Sequence, residues 1–206
     1  RTLNLWVADD CASLSYKTPV TELANLFLTG GSDNDIYDWV SNIYGEEWGD
    51  VGEKDPNDVL IDPNDQITIL LLDIDNDQSA NSGVLGYFWA KDNFKTSAIS
   101  YSNQRIMFYM DSYLYKNHTD EIISALAHEL QHMIHFYQKT VLLTNGNTET
   151  WIDEMCSMAA EDLVAYNLYN YNVEGPRGVP TTYPAYLTGS AGPSQNTCPP
   201  AGDHWP

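Results

Sequence analysis

Positive charge is scarce in this 206-residue chain: Lys and Arg number 9 against 29 Asp and Glu, giving a formal charge of −20. So negative a surface repels phosphate backbones and anionic lipids, which excludes nucleic acid as a partner. Its plainest use is solubility. Long apolar runs are also missing. The greasiest, ITILLLDI, is strand-sized, well short of the roughly 18 residues a membrane helix needs, so no membrane insertion is expected. Cysteine is limited to Cys11, Cys156 and Cys198 with no C-x-x-C spacing, which fits neither a disulfide-dense scaffold nor a thiolate zinc knuckle. A Cys11–Cys198 bridge would tie the two ends together in an oxidising compartment, and Cys156 reads as a small buried packing residue within a helix. No internal repeat is visible. The chain opens on Arg1, with no Met and no positively charged start followed by an apolar core, as in a processed mature form or an excised piece of a longer chain.

What is present describes a single globular domain over residues 1–206, with 43% hydrophobic and 12% aromatic residues to build its core. LNLWVADD alternates as a first strand. TPVTELANLFL reads as a helix with Thr18 as N-cap and Pro19 in its first position, ended by Gly30 and Gly31. A second helix runs from Ser32 or Asp33 to Gly45, and residues 45–66, rich in Gly, Pro, Asn and Asp, form a long loop. Strands are expected over Ile67–Asp73, Val84–Ala90 and Arg105–Met110, where β-branched and aromatic residues lie between turn residues. A helix from near Thr119 to about Lys139 has Asp120 and Glu121 in its first turn, where the helix dipole favours anions. Thr119, which also completes an NHT sequon, serves there as the cap. Another helix runs from near Thr148 to about Tyr166. After Asn172 the composition is that of a surface-wrapping segment. Strands and helices mixed, then helices, make an α+β domain.

The chemistry centres on AHELQHMIHFYQK, residues 127–139, where His128 and His132 flank Glu129. With 5 His and 10 Glu in the chain, composition alone gives about 0.006 copies of His-Glu-x-x-His, so the motif is specific. Residues four apart share one helix face, so both imidazoles can converge on one ion. Glu129, one residue round from His128, stands where a general base needs to be. His135 is too far along the axis, about 10.5 Å from His128, to join them on one ion, and reads as packing or as a partner to the ligands. A hydrolytic zinc takes three protein ligands and keeps a fourth position open. Glu154, 22 residues after His132, is far enough along for a following helix to return beside the first and bring its carboxylate in. Asp153 competes for that place, but helical geometry turns it about 100° away from Glu154, so only one can face the ion.

The arrangement resembles the gluzincins, zincin-fold metallopeptidases with two His on one helix and a Glu on the next. More narrowly, ITILLLDI, GYFWAKD, RIMFYMDS, LAHELQHMIHF and TWIDEM, in that order across roughly residues 60–165, resemble the hyicolysin-like family of bacterial zinc metalloendopeptidases. The resemblance implies His128, His132 and Glu154 as zinc ligands and Glu129 as the catalytic carboxylate in Glu-assisted attack of a zinc-activated water. It implies a zincin-like fold: a mixed sheet with an edge strand over the active-site helix, then a second ligand-bearing helix. Residues 1–140 would form an upper lobe and 141–206 a short lower one. It also implies a secreted, monomeric protein taking protein or peptide substrates extended along an edge strand, either VLGYFWA or RIMFYM. Glu161, seven residues after Glu154, and Asp153 are candidates to orient the ligand rings. Tyr166, Tyr169, Tyr183, Tyr186 and His204 are candidate oxyanion donors, since zincins use a Tyr or His there. Two departures stand out. Met155 follows the ligand glutamate where many members have Gly, and the chain ends 52 residues past Glu154, short enough for part of a C-terminal lobe to be absent.

Asp73, Asp75 and Asp77 in DIDNDQSANSG begin like a calcium loop. Gln78 and Val84 then stand where the helix-loop-helix motif needs Gly and Glu, so Ca2+ would require a looser site, and an Asn/Asp-rich turn is the simpler reading. Two alternatives share the His-Glu-x-x-His motif. A deformylase-like amide hydrolase needs a cysteine ligand in a Gly-Cys-Leu setting, which Cys11 in DDCAS does not resemble. A non-catalytic zinc-containing binding module closes its site with four protein ligands and has no need of Glu129.

Overall fold

A computed structural model describes residues 1–16, 18–30, 35–143 and 148–171. Four strands form one mixed sheet: β1 (Thr2–Val7), β2 (Gln66–Leu72), β3 (Gly86–Phe88) and β4 (Ile106–Asp111), in the order β1-β2-β4-β3. β1, β2 and β4 run parallel, while β3 lies antiparallel to β4 at the edge. The β2–β4 register sets Ile67 against Ile106, Ile69 against Phe108 and Leu71 against Met110. These six side chains are buried, and their spacing of two puts them on one face of the sheet. All six residues of β4 are buried, as expected of a central strand covered on both faces. RIMFYM is therefore not an edge strand; of the two sequence candidates, only VLGYFWA contributes one. Gly86 lets β3 lie close to β4, because a Cβ there would come within 2.7 Å of the Tyr109 carbonyl oxygen.

Helix α1 (Val20–Phe27) starts one residue later than its sequence signals indicate, with Pro19 in the cap position. In α2 (Ile36–Tyr44), the Asp35 carboxylate accepts from the Asp38 N–H, and Gly45 closes the helix at φ +101, a conformation that favours glycine. α3 (Ser112–Asn117) is a short helix that periodicity missed. It is set by Asp111, which accepts from Leu114 N through one carboxylate oxygen and from Ile74 N through the other. α4 (Thr119–His135) follows with His118, not Thr119, in the cap position. Its apolar residues are buried nearly all round because β3, β4, α2, α3 and α5 surround it. The helix that was expected to reach Lys139 widens after His135 into a π-helical turn over Phe136–Leu142, a form that recurs at functional sites. α5 (Thr150–Tyr171) then packs along α4.

The loop between α2 and β2 is more ordered than its composition suggests. It holds a 3-10 turn over Gly52–Lys54, a fully buried Trp48, and a buried Glu47 paired with Arg1 at 2.8 Å. Trp48 stacks on Phe136 at 6.4 Å between ring centroids, which ties this loop to the π-helical turn. Cys156 is only half-buried in α5, a correction to its reading as a core residue; its carbonyl accepts from the Tyr44 hydroxyl at 3.1 Å. Cys11 is buried, and its suggested partner Cys198 lies outside the described residues. No described helix is long and apolar enough to cross a membrane.

Candidate metal centre

α4 carries both histidines on the face turned toward α5. The imidazoles of His128 and His132 meet edge-on with centroids 4.6 Å apart, and their Nε2 atoms are 2.9 Å apart. Glu154, in the second turn of α5, reaches the same point: Oε2 is 3.3 Å from His128 Nε2, and Oε1 is 3.7 Å from His132 Nε2. Among the described residues this is the group of three ligand types close enough to hold one metal ion, with donor atoms all within 4.8 Å of one another. Tetrahedral zinc, with bonds of about 2.0–2.1 Å, spaces its ligand atoms by roughly 3.3–3.4 Å. The Nε2–Nε2 spacing of 2.9 Å and the Glu154 contacts of 3.3 Å through Oε2 and 3.7 Å through Oε1 lie around that value, so the two rings and the carboxylate fit a zinc ion.

Each ring is also held from behind. His128 Nδ1 is 2.6 Å from Glu161 Oε1, and the other Glu161 oxygen accepts from the Ser124 hydroxyl. His132 Nδ1 lies 3.1 Å from Asp153 Oδ2 and 3.2 Å from Ser157 Oγ, whose hydroxyl donates to Gln131. Asp153 and Glu154 do diverge along the helix, yet both reach histidine, because His132 offers its Nε2 edge to one and its Nδ1 edge to the other. Ser124, Gln131 and Ser157 are additions that sequence reasoning missed; their one signal is polar side chains on otherwise apolar helix stretches. His135 packs behind Asp153, with Nδ1 3.3 Å from Oδ1 and Nε2 2.8 Å from Thr148 Oγ1.

The chain matches the peptidase M30 family across residues 1–199. It belongs to that family. Over 182 residues the M30 chain is 32% identical to the neutral metalloprotease ShpI of Staphylococcus hyicus, an alignment covering 84% of this chain and 36% of that protein. It therefore spans little more than a third of that relative's length. Family and relative agree with the resemblance that the five sequence blocks carry. No solved structure matches the chain.

Glu129 of the M30 chain is only 7% exposed. Burial raises its pKa; the neighbouring His132 and His128 and the Phe88 backbone N–H, which donates to its carboxylate, work in the opposite direction. Phe88 belongs to β3, so this contact ties the acid to the strand at the edge of the described sheet. At His128, burial disfavours the cation, but Glu161, Glu129 and Glu154 outweigh it and raise the ring pKa. Tyr166 and Tyr169 fall in the last turns of α5, where their side chains are outside the described set, as are Tyr183, Tyr186 and His204. In the acidic loop, Asp73 accepts from the Asp77 and Gln78 N–H groups and Asp77 from Ser79 N. Those carboxylates brace a turn with positive φ at Asn76 and Gln78, and with Asp75 they form no converging ligand group among the described residues.

Proposed function

We propose that this chain is the catalytic unit of a zinc-dependent endopeptidase of the gluzincin type on a zincin-like fold. The observation that carries the reading is the buried Glu129 held by Phe88 of an edge strand directly beside three converging ligands, His128, His132 and Glu154. When bound, zinc supplies Lewis-acid polarisation of a carbonyl oxygen and acidifies water. Glu129 accepts the proton of the attacking water and returns it to the departing amine. Its burial supports this role by raising its pKa toward the working range of a general base. Glu161 and Asp153 keep the His128 and His132 rings turned inward. The open edge of β3 offers its backbone to a peptide in extended form, which selects unstructured protein as substrate. Secretion as a monomer belongs to the same reading.

Three converging groups among the described residues, with an acid beside them, suit a site that keeps one position open better than a closed structural site of four. The deformylase reading requires a cysteine ligand, and no cysteine joins the group among the described residues. The test is cleavage of a casein-type protein before chelation, after it, and after zinc is restored. Activity that disappears and returns is the expected result; cleavage undiminished by full removal of metal would overturn the proposal.

A further inference from the structure

Beside the metal centre opens a cavity of about 370 Å3, at the lower end of the range for small-ligand pockets. Phe88 at the end of β3 and Ala90 of the 3-10 turn that follows form one side, Phe136 and Thr140 of the π-helical turn the other, and His132 and Asp153, with His135 and Thr148, close it toward the metal centre. Its aromatic wall is packed against further rings. The Phe136 ring packs against Phe88 at 5.9 Å, Phe94 at 6.3 Å and the fully buried Trp48 at 6.4 Å. The opposite end is acidic: Asp153 lies against His132 and His135, and among the described residues no Lys or Arg lines the cavity. Glu129, Glu154 and Glu161 stand at the adjoining metal centre, outside the cavity lining.

We infer that this cavity is the subsite for a lysine or arginine side chain adjoining the scissile bond, its stem lying on Phe88 and Phe136 and its charged end facing Asp153. The inference rests on the peptidase reading above. Long basic side chains combine an apolar stem with a cationic tip, and such tips also favour aromatic faces. A leucine or phenylalanine would match the wall but would leave the Asp153 carboxylate facing it without a cationic partner from the substrate. An acidic side chain would meet the Asp153 carboxylate, and a small one would leave the cavity unfilled.

The test uses the zinc-loaded chain on a mixture of unstructured peptides, with cleavage positions read by mass spectrometry and kcat/KM taken for matched Lys, Leu and Glu peptides. At one fixed position beside the cleaved bond, the basic residue is expected to exceed Leu by at least about tenfold. Thr140 is exposed on the cavity rim, so Thr140→Lys should lower the Lys-to-Leu ratio and Thr140→Glu should raise it. A preference for Leu or Phe, or a basic preference that neither variant moves, would overturn the subsite. If no peptide is cleaved by zinc-loaded protein, the peptidase reading itself fails and takes the subsite with it.

Discussion

Removing the Glu161 carboxylate probes how far the metal centre depends on a residue that would not touch the metal. Its side chain is 14% exposed, with Oε1 2.6 Å from His128 Nδ1 and Oε2 accepting from Ser124. Loss of such a partner costs about 10–100-fold in metal affinity, or about 1.4–2.7 kcal/mol. Glu161→Gln keeps the shape and an accepting oxygen but loses the charge, and belongs near the tenfold end. Glu161→Ala strands both the ring N–H and the Ser124 hydroxyl, and belongs near the hundredfold end. Competition for zinc against a chromophoric chelator gives the affinities, and melting of the metal-free proteins separates a local effect from a damaged fold. Wild-type zinc affinity in both variants, with the metal-free fold intact, would refute the role assigned to Glu161.

The remaining predictions concern metal, pH and core. With zinc at a hundred times its Kd, binding adds about 2.7 kcal/mol, so chelation should lower the melting temperature of a chain this size by about 5–10 °C; an unchanged melt would mean the metal is not bound in the native state. Because the metal-free fold raises the His128 pKa above the ordinary 6.5, protonation there contributes stability that is full below 6.5 and fades as pH rises through the raised value. Zinc must displace that proton, so zinc affinity should fall as pH drops through the same raised value, and Glu161→Gln should move the fall to lower pH; superimposable profiles over about pH 5 to 8 would contradict this. Trp48→Ala, which empties a fully buried site against Phe136 and Tyr137, should cost about 3–5 kcal/mol in chemical denaturation; a loss below about 1 kcal/mol would show that the loop does not anchor the π-helical turn.

Long periodic segments were the legible part of the sequence. β2, β4, α4 and α5 stand close to their expected places, and the four-residue interval between His128 and His132 does bring two rings together. Other features depend on partners distant in the chain. VLGYFWA and RIMFYM look alike as sequences, and only pairing makes one an edge and the other central. α3 exists because Asp111 caps it while holding the start of the acidic loop. The widening after His135 follows no local pattern, and Trp48 looks like a loop residue until Phe136 and Tyr137 enclose it. Helical angles rightly separate Asp153 from Glu154, but they cannot reveal that one imidazole would meet both through opposite edges.

The central claim is that Glu129 moves protons at a metal it does not hold. Zinc content and cleavage rate measured together on Glu129→Gln test it most directly. One zinc per chain with cleavage slowed by about 10²–10⁴-fold is the predicted result; a zinc-loaded variant that cleaves at the wild-type rate would contradict it.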